Sequence, residues 1–246
     1  MSISIIIPVY NEEECVERCI RETEKAFCDT DYEVILVDDG STDRSHEIIG
    51  RLVAQNGHTK YISYPDNRGY SHAIRQGIRL VSKEFTSYLD ADLQYPPMEL
   101  RNMYEFALRN RHAFVLGKPA QKYYKPWRRF MSFVYNFLVA RLLHVHVGDA
   151  NSLKLIATRT LKGLDLTREF GGIEIEILLG IADRSIPIIL FPIRVQERIA
   201  GKSKAGLKVI LSTLKNILDL HRLRKEIRGR SNATVISAVF SKNRRS

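Results

Sequence analysis

Short apolar runs recur through the first two hundred positions, and most are followed by a stretch whose apolar residues return every three or four positions. A short continuous run suits a buried strand; the longer spacing suits a helix with one covered face. Residues 2–9 read as a first strand. Residues 12–27 follow as a helix with Val16, Cys19, Ile20, Thr23 and Phe27 on one face and charges opposite. Residues 32–37 predict a second strand, and a helix runs from the next turn to about residue 55. In that turn Gly40 permits the reversal and Ser41, Thr42 or Asp43 can cap the helix. Strands at 59–64, 85–89 and 113–117 and helices at 70–80 and 98–109 continue the rhythm. It breaks after residue 117. A basic, aromatic stretch at 118–129 leads into an apolar helix at 130–143, then a short strand near 153–156, a helix from about 172 to 182 and an apolar run at 186–192. The alternation predicts an α/β fold, Rossmann-like, with helices flanking a mostly parallel sheet. Nothing linker-like interrupts it, so a catalytic-sized domain is expected over 1–204, with an amphipathic helix and basic tail over 205–246.

Ligands in open α/β sheets bind beyond the carboxyl ends of the strands, and the polar clusters of this chain fall there. Pro8-Val9-Tyr10-Asn11-Glu12 follows the first strand, Asp38-Asp39 the second, Asn67-Arg68-Gly69 the third, and Asp90-Ala91-Asp92-Leu93-Gln94 the fourth. In extended backbone, side chains two apart share a face, so Asp90, Asp92 and Gln94 can project together beyond a buried strand. Three oxygen-bearing side chains suit a hard cation such as Mg2+ or Mn2+ and leave coordination positions for a diphosphate. A polar turn, with Pro96 and Pro97 as ordinary turn residues, has the same local pattern.

Charge adds a second constraint. The 246 residues include 38 Lys and Arg against 28 Asp and Glu, a formal net charge of +10, so a phosphorylated substrate, an anionic lipid surface or nucleic acid would each suit the chain. Much of the excess follows Lys202, where a solvated tail is the plain alternative. Nucleic acid ranks low, because aromatic residues for stacking are not interleaved with the tail's Lys and Arg. Cys15, Cys19 and Cys28 form no CxxC pair, which argues against a disulfide framework and for reduced thiols in a cytosolic protein. Residues 3–9 run straight into a structured motif, so no signal peptide is expected. The apolar stretch at 130–147 contains Asn136, Arg141, His144 and His146, which suits a partly buried or interfacial helix better than a membrane span.

Five motifs now stand in order: PVYNEE at 8–13, VDDGSTD at 37–43, NRGYSHAIRQG at 67–77, DADLQYPP at 90–97 and RIAGKSK at 198–204. Together they resemble the family 2 glycosyltransferases of the GT-A fold, and within them the polyprenyl-phosphate sugar transferases typified by dolichol-phosphate mannose synthase. The resemblance implies a nucleotide-sugar donor, GDP-mannose or a UDP-hexose, bound near Pro8, Tyr10, Glu12, Val37, Asp39, Asp90, Ala91, Asp92, Arg198 and Lys204. Tyr10 offers an aromatic surface, and Glu12 and Asp39 can accept hydrogen bonds from base or ribose. Pro8 and Val37 read equally well as core packing, and Asp38 as a support for its own loop. By the same resemblance Asp90, Asp92 and Gln94 hold Mg2+ or Mn2+ against the diphosphate, while Arg198 and Lys204 bring cations to the phosphates from a loop that folds over the donor. Asp92, Arg198 and Lys204 are thereby the implied catalytic residues.

On the acceptor side the resemblance implies Arg128 and Ser132 as contacts for a lipid phosphate; Lys118 or Lys122 can supply the charge of the family arginine whose position Pro119 occupies. Two departures matter. Gly117-Lys118-Pro119 replaces the family's Gly-Ser-Arg or Gly-Thr-Arg, and the segment from Asp149 to Lys154 is shorter than the usual Asp-X-X-Ser-Gly-Phe-Arg pattern. A lipid monophosphate is largely ionised near neutral pH and needs no base to remove a proton; a hydroxyl acceptor does. Glu174 and Glu176 are the candidates for that base, or are satisfied structural carboxylates. The expectation is inverting transfer of a hexose, mannose ahead of glucose, to a polyprenyl phosphate. Transfer to a carbohydrate or protein hydroxyl is the second reading. Residues 205–223 carry Leu207, Ile210, Leu211, Leu214, Ile217 and Leu218 on a broad helical face, which suits either an interfacial helix on the cytoplasmic membrane face or a helix packed on the domain. A separate membrane-anchor subunit would be a natural partner for the former.

Overall fold

The computed structural model describes residues 1–110, 114–120, 133–134, 136–137, 140, 149–166, 172–197 and 235–237. In chain order these form β1 (Ser2–Val9), α1 (Val16–Phe27), β2 (Asp31–Asp39), α2 (Ser45–Val53), β3 (Thr59–Tyr64), α3 (Tyr70–Leu80), β4 (Phe85–Tyr88), α4 (Pro97–Asn110), β5 (Phe114–Pro119), β6 (Lys154–Ala157), α5 (Thr158–Lys162), α6 (Ile173–Asp183), β7 (Ile188–Ile193) and β8 (Val235–Ser237). One eight-stranded sheet runs β3-β2-β1-β4-β6-β5-β7-β8. All pairings are parallel except those of β6, which is antiparallel to both β4 and β5.

The strand runs at 2–9 and 59–64 and the helix at 70–80 form over the expected residues. The first helix starts later than the pattern predicts, at Val16, because residues 12–15 make a turn in which Val16 N–H donates to the Glu12 carbonyl at 2.8 Å. Two cores result. One face of the sheet packs Ile3, Ile5, Ile7, Val34 and Leu36 against α1, α2 and α4; the other packs Ile6, Ile35 and Val37 against α3 and α6. Each of these aliphatic side chains is wholly buried, an arrangement in which one contributes about 1.5–3 kcal/mol. Gly77 lets α3 lie close on β1, since a Cβ there would collide with the Ile6 side chain. Cys15 and Cys19 are buried packing residues and Cys28 is exposed, with no disulfide among them.

The parallel βαβ units leave β1, β2, β3 and β4 ending at the same edge, and the motifs on one rim. The chain departs from that edge after β5 and returns to it at Lys154, the start of β6. Gly117 N–H donates to the Leu153 carbonyl at 2.8 Å and closes the neck of the excursion. Val235–Ser237, inside the segment placed beyond the catalytic domain, pairs with β7 as the outermost strand. The proposed amphipathic helix at 205–223 lies outside the described residues. Among the described residues no helix is long and apolar enough to cross a membrane.

Candidate active site

The first two motifs build one structure. Asn11, held at φ 53°, accepts from Thr42 N–H at 2.7 Å through Oδ1, and its own N–H donates to Ser41 Oγ at 3.1 Å. Glu12 N–H donates to Ser45 Oγ at 2.9 Å and Glu13 N–H to Asp43 Oδ2 at 3.1 Å. These bonds fasten the end of β1 to the turn after β2. Burial alone would raise the Asp43 carboxyl, but the N–H and hydroxyl donors around it bring it below its ordinary value. Gly40 sits at φ 76°, where an added Cβ would lie 2.5 Å from the backbone carbon of Asp66; only glycine gives both the turn and the close approach.

Asp38 and Asp39 are both buried. Asp38 accepts from Ser41 N–H at 2.9 Å, Tyr61 Oη at 3.3 Å and Ser63 Oγ at 3.4 Å, and so supports its own loop. Asp39 accepts Gly69 N–H at 2.6 Å and Arg68 N–H at 3.1 Å, while His72 Nδ1 stands 3.4 Å from its other oxygen. It therefore ties the end of β2 to the start of α3, joining the second and third motifs. Tyr10, Glu12 and Pro8 are half-buried on this rim. Val37 is wholly buried beneath α3, so its side chain packs the core, and Ala91 is also buried.

At the end of β4, Leu89 N–H still donates to the Ile6 carbonyl at 2.9 Å. Asp90 is half-buried and Asp92 buried, with Asp92 Oδ1 accepting from Gln94 N–H at 3.0 Å. Leu93 adopts φ 58°, a left-handed turn that a non-glycine residue rarely takes. The Gln94 carbonyl accepts Gln196 N–H at 2.9 Å, anchoring the turn to the segment leading from β7 toward Arg198. Behind it lies Cys19, whose thiol is pushed far up by burial and then by the charges of Asp92 and Asp90. Both carboxylates thus act on one small region. Among the described residues no three His, Cys, Asp or Glu side chains gather to hold a metal. The set present is two carboxylates and an amide, all oxygen donors, and this chemistry fits a hard divalent cation whose remaining ligands come from a diphosphate.

Sequence reasoning missed a buried polar network beside Asp90. Lys154, wholly buried on β6, pairs with Glu174 on α6 and donates to the Ser152 carbonyl at 3.0 Å. Glu174 also accepts from Tyr88 Oη at 2.6 Å and Tyr70 Oη at 3.4 Å. Tyr70 as a residue is 40% exposed, but its hydroxyl end is enclosed. Burial, then the charges of Asp90 and Glu174, hold its phenol well above the ordinary value. Glu176 pairs with Arg75 of α3. Both candidate bases of α6 are therefore engaged in ion pairs. A lysine at the start of a short strand reads as a surface residue in sequence; only the Glu174 pattern on an apolar helix hints at a buried partner.

Lys118 is exposed at the end of β5, and Pro119 continues that strand beside Ile193. Asp149 is buried and accepts Asn151 N–H at 3.2 Å. Lys122, Arg128, Ser132, Arg198 and Lys204 lie outside the described residues.

Solved structures share this architecture. Glucosyl-3-phosphoglycerate synthase from Mycobacterium tuberculosis, in complex with Mn2+, UDP and phosphoglyceric acid, superposes with a TM-score of 0.69 at 17% identity, covering 89% of this chain and 78% of that one. The same enzyme with Mg2+ and UDP also gives 0.69 at 17% identity, over 90% and 79%. At that identity the likeness concerns the fold, which is of the GT-A glycosyltransferase type. The chain belongs to Glycosyl transferase family 2, whose model matches residues 4–153. It is 31% identical over 223 residues to the undecaprenyl-phosphate 4-deoxy-4-formamido-L-arabinose transferase of Edwardsiella ictaluri (strain 93-146), spanning 88% of this chain and 66% of that relative's length.

Proposed function

We propose that this protein transfers a sugar, with inversion, from a nucleotide-sugar to a polyprenyl phosphate at a membrane surface. The observation that carries the acceptor class is the engagement of Glu174 by Lys154 and Tyr88 and of Glu176 by Arg75. Carboxylates held in buried ion pairs are poor bases, and a phosphate acceptor brings its own ionised oxygen. The relative named for undecaprenyl phosphate supports the same class.

The donor lies on the rim formed by Tyr10, Glu12 and Asp39, with its diphosphate toward the end of β4. Asp90, Asp92 and Gln94 would hold Mg2+ or Mn2+. When bound, the ion supplies Lewis acidity and neutralises the departing nucleoside diphosphate. Arg198 and Lys204 add charge-assisted bonds to the same phosphates. Lys118, Arg128 and Ser132 position the lipid phosphate for attack at the sugar's C1, opposite the leaving group. The protein works from the cytoplasmic membrane face, where residues 205–223 meet anionic headgroups or a separate anchoring subunit. Mannose from GDP-mannose is the first donor to test and glucose the second; the relative's arabinose derivative widens the panel to pentoses.

The test incubates purified full-length protein with Mn2+, each donor, and either a short polyprenyl phosphate or a sugar hydroxyl acceptor. A lipid-linked sugar formed only with the polyprenyl phosphate is the expected result. Transfer to the hydroxyl acceptor in the absence of lipid would overturn the proposed acceptor class.

A further inference from the structure

Tyr70 opens α3 on the rim and leaves 40% of its surface exposed, yet the turn that carries it is fastened on every side. Gly69, the residue before it, donates its N–H to Asp39 at 2.6 Å and ties the turn to the end of β2. Ser71, the residue after it, accepts Ile173 N–H at 3.1 Å through Oγ, which docks the first turn of α3 on the first turn of α6. The Tyr70 hydroxyl gives its one proton to Glu174 Oε1 at 3.4 Å, while Tyr88 Oη donates to Oε2 at 2.6 Å and Lys154 pairs with that same oxygen. Glu174 thus receives two phenols and an ammonium, so its charge is compensated and it serves as an anchor. With the hydroxyl spent on that anchor, the ring is what Tyr70 can offer a ligand.

On the proposed reading of this rim as the donor site, Tyr10, Glu12 and Asp39 serve the base and ribose and Asp90, Asp92 and Gln94 the diphosphate. The transferred sugar still needs a surface. Tyr70 stands between those two ends: its neighbour Gly69 is bonded to Asp39, and its anchor Glu174 is bonded to Tyr88, two residues before Asp90. We propose that Tyr70 is a specificity-determining residue of the donor site, its tethered ring the platform on which the sugar rests. The C–H bonds on one face of a pyranose carry slight positive charge, and the face of an aromatic ring is negative, so the two attract when stacked. A ring held in place before the ligand arrives loses no rotamer freedom on binding, which favours the stacked complex. Because the hydroxyl is engaged by Glu174, the platform reads the shape of the sugar's C–H face and not its pattern of hydroxyls. Hexoses and pentoses with that face uninterrupted are the substrate class it fits.

Calorimetric titration of full-length protein with UDP, GDP, UDP-glucose and GDP-mannose in the presence of Mn2+ tests the platform, on wild type, Tyr70→Leu, Tyr70→Phe and Asp90→Ala, with thermal unfolding alongside. Tyr70→Leu is expected to weaken the nucleotide-sugar about five- to tenfold, the size of a stacked aromatic contact, and to leave the matching nucleoside diphosphate bound as in wild type. Tyr70→Phe keeps the ring and should bind both as wild type does. Equal losses for diphosphate and nucleotide-sugar in Tyr70→Leu would refute the platform, and so would no loss for either. A loss in Tyr70→Phe as large as in Tyr70→Leu would also refute it, since the hydroxyl would then be the contact. Tyr70→Met is the second replacement, and the same selective loss is required of it if Tyr70→Leu does not fold. Asp90→Ala keeps the two readings apart. If it binds UDP and GDP with Mn2+ as wild type does, or if wild type binds neither, the donor-site reading itself fails; if Asp90→Ala loses them while Tyr70→Leu shows no selective loss, that reading stands and the platform is wrong.

Discussion

The two acidic strand ends look alike in sequence and are used differently. At the end of β2, Asp38 and Asp39 are adjacent, both buried, and turned onto backbone N–H groups of Ser41, Arg68 and Gly69. At the end of β4, Asp90 and Asp92 are two apart, Asp90 stays half-exposed, and Gln94 N–H donates to Asp92. Adjacent carboxylates point to opposite faces of a strand, so Asp38 and Asp39 each find their own loop to organise; Asp90 and Asp92 lie beyond the last residue of β4, in a turn rather than in extended backbone. The first pair builds the rim on which a donor would lie, and the second supplies the field that would draw a cation to it.

The largest effect should come from Asp92→Ala. Losing a ligand of an ion worth several kcal/mol of charge stabilisation is expected to cut sugar transfer by about a hundredfold or more, read as lipid-linked product. The unfolding midpoint should move little. A large loss of stability with retained transfer would put this carboxylate in the same class as Asp39. For Asp39→Ala the expected balance is reversed: two backbone N–H groups lose a charged acceptor, at a cost of about 1.5–3 kcal/mol each before water replaces it. Denaturant unfolding should register that loss directly, with weaker nucleotide binding as a consequence.

The smallest effect is a pH dependence at the far end of β2, remote from the rim. Glu33 is 6% exposed; burial would raise its carboxyl, but Lys60, Ser4 and Ser82 together bring it below its ordinary value. A group whose folded value is depressed stabilises the fold fully above its unfolded value of about 4.3, and that contribution is lost as pH falls through the folded value. Glu33→Gln should therefore lower stability near neutrality and flatten the acid limb of the unfolding curve. An unchanged acid limb would show that this carboxylate is not among those that set it.

Legibility in the sequence follows the same division. β1 and β2 are readable because parallel strands covered on both faces require continuous apolar runs; the edge strand β3 and the short β4 are less apolar and are marked by the helical faces that follow them. The rim motifs were readable as motifs, but not as a unit: nothing in the spacing of Asn11, Ser41 and Asp43 announces that they bond across the gap between β1 and β2. β6 was visible only as a short strand, since direction leaves no mark on so brief a run, and the burial of Lys154 runs against the rule that places lysine at the surface. Val235–Ser237 was hidden by the basic residues around it, which read as a solvated tail.

The reversed direction of β6 has an architectural consequence. The chain leaves the sheet after β5 and re-enters at the adjacent strand on the same edge, so the two feet of the span between them lie side by side, clasped by the Gly117–Leu153 bond. Lengthening or replacing such a span adds only a slowly growing closure entropy and leaves every strand pairing intact. Sequence change can therefore accumulate between β5 and β6 while the rim at the ends of β1 to β4 stays unchanged.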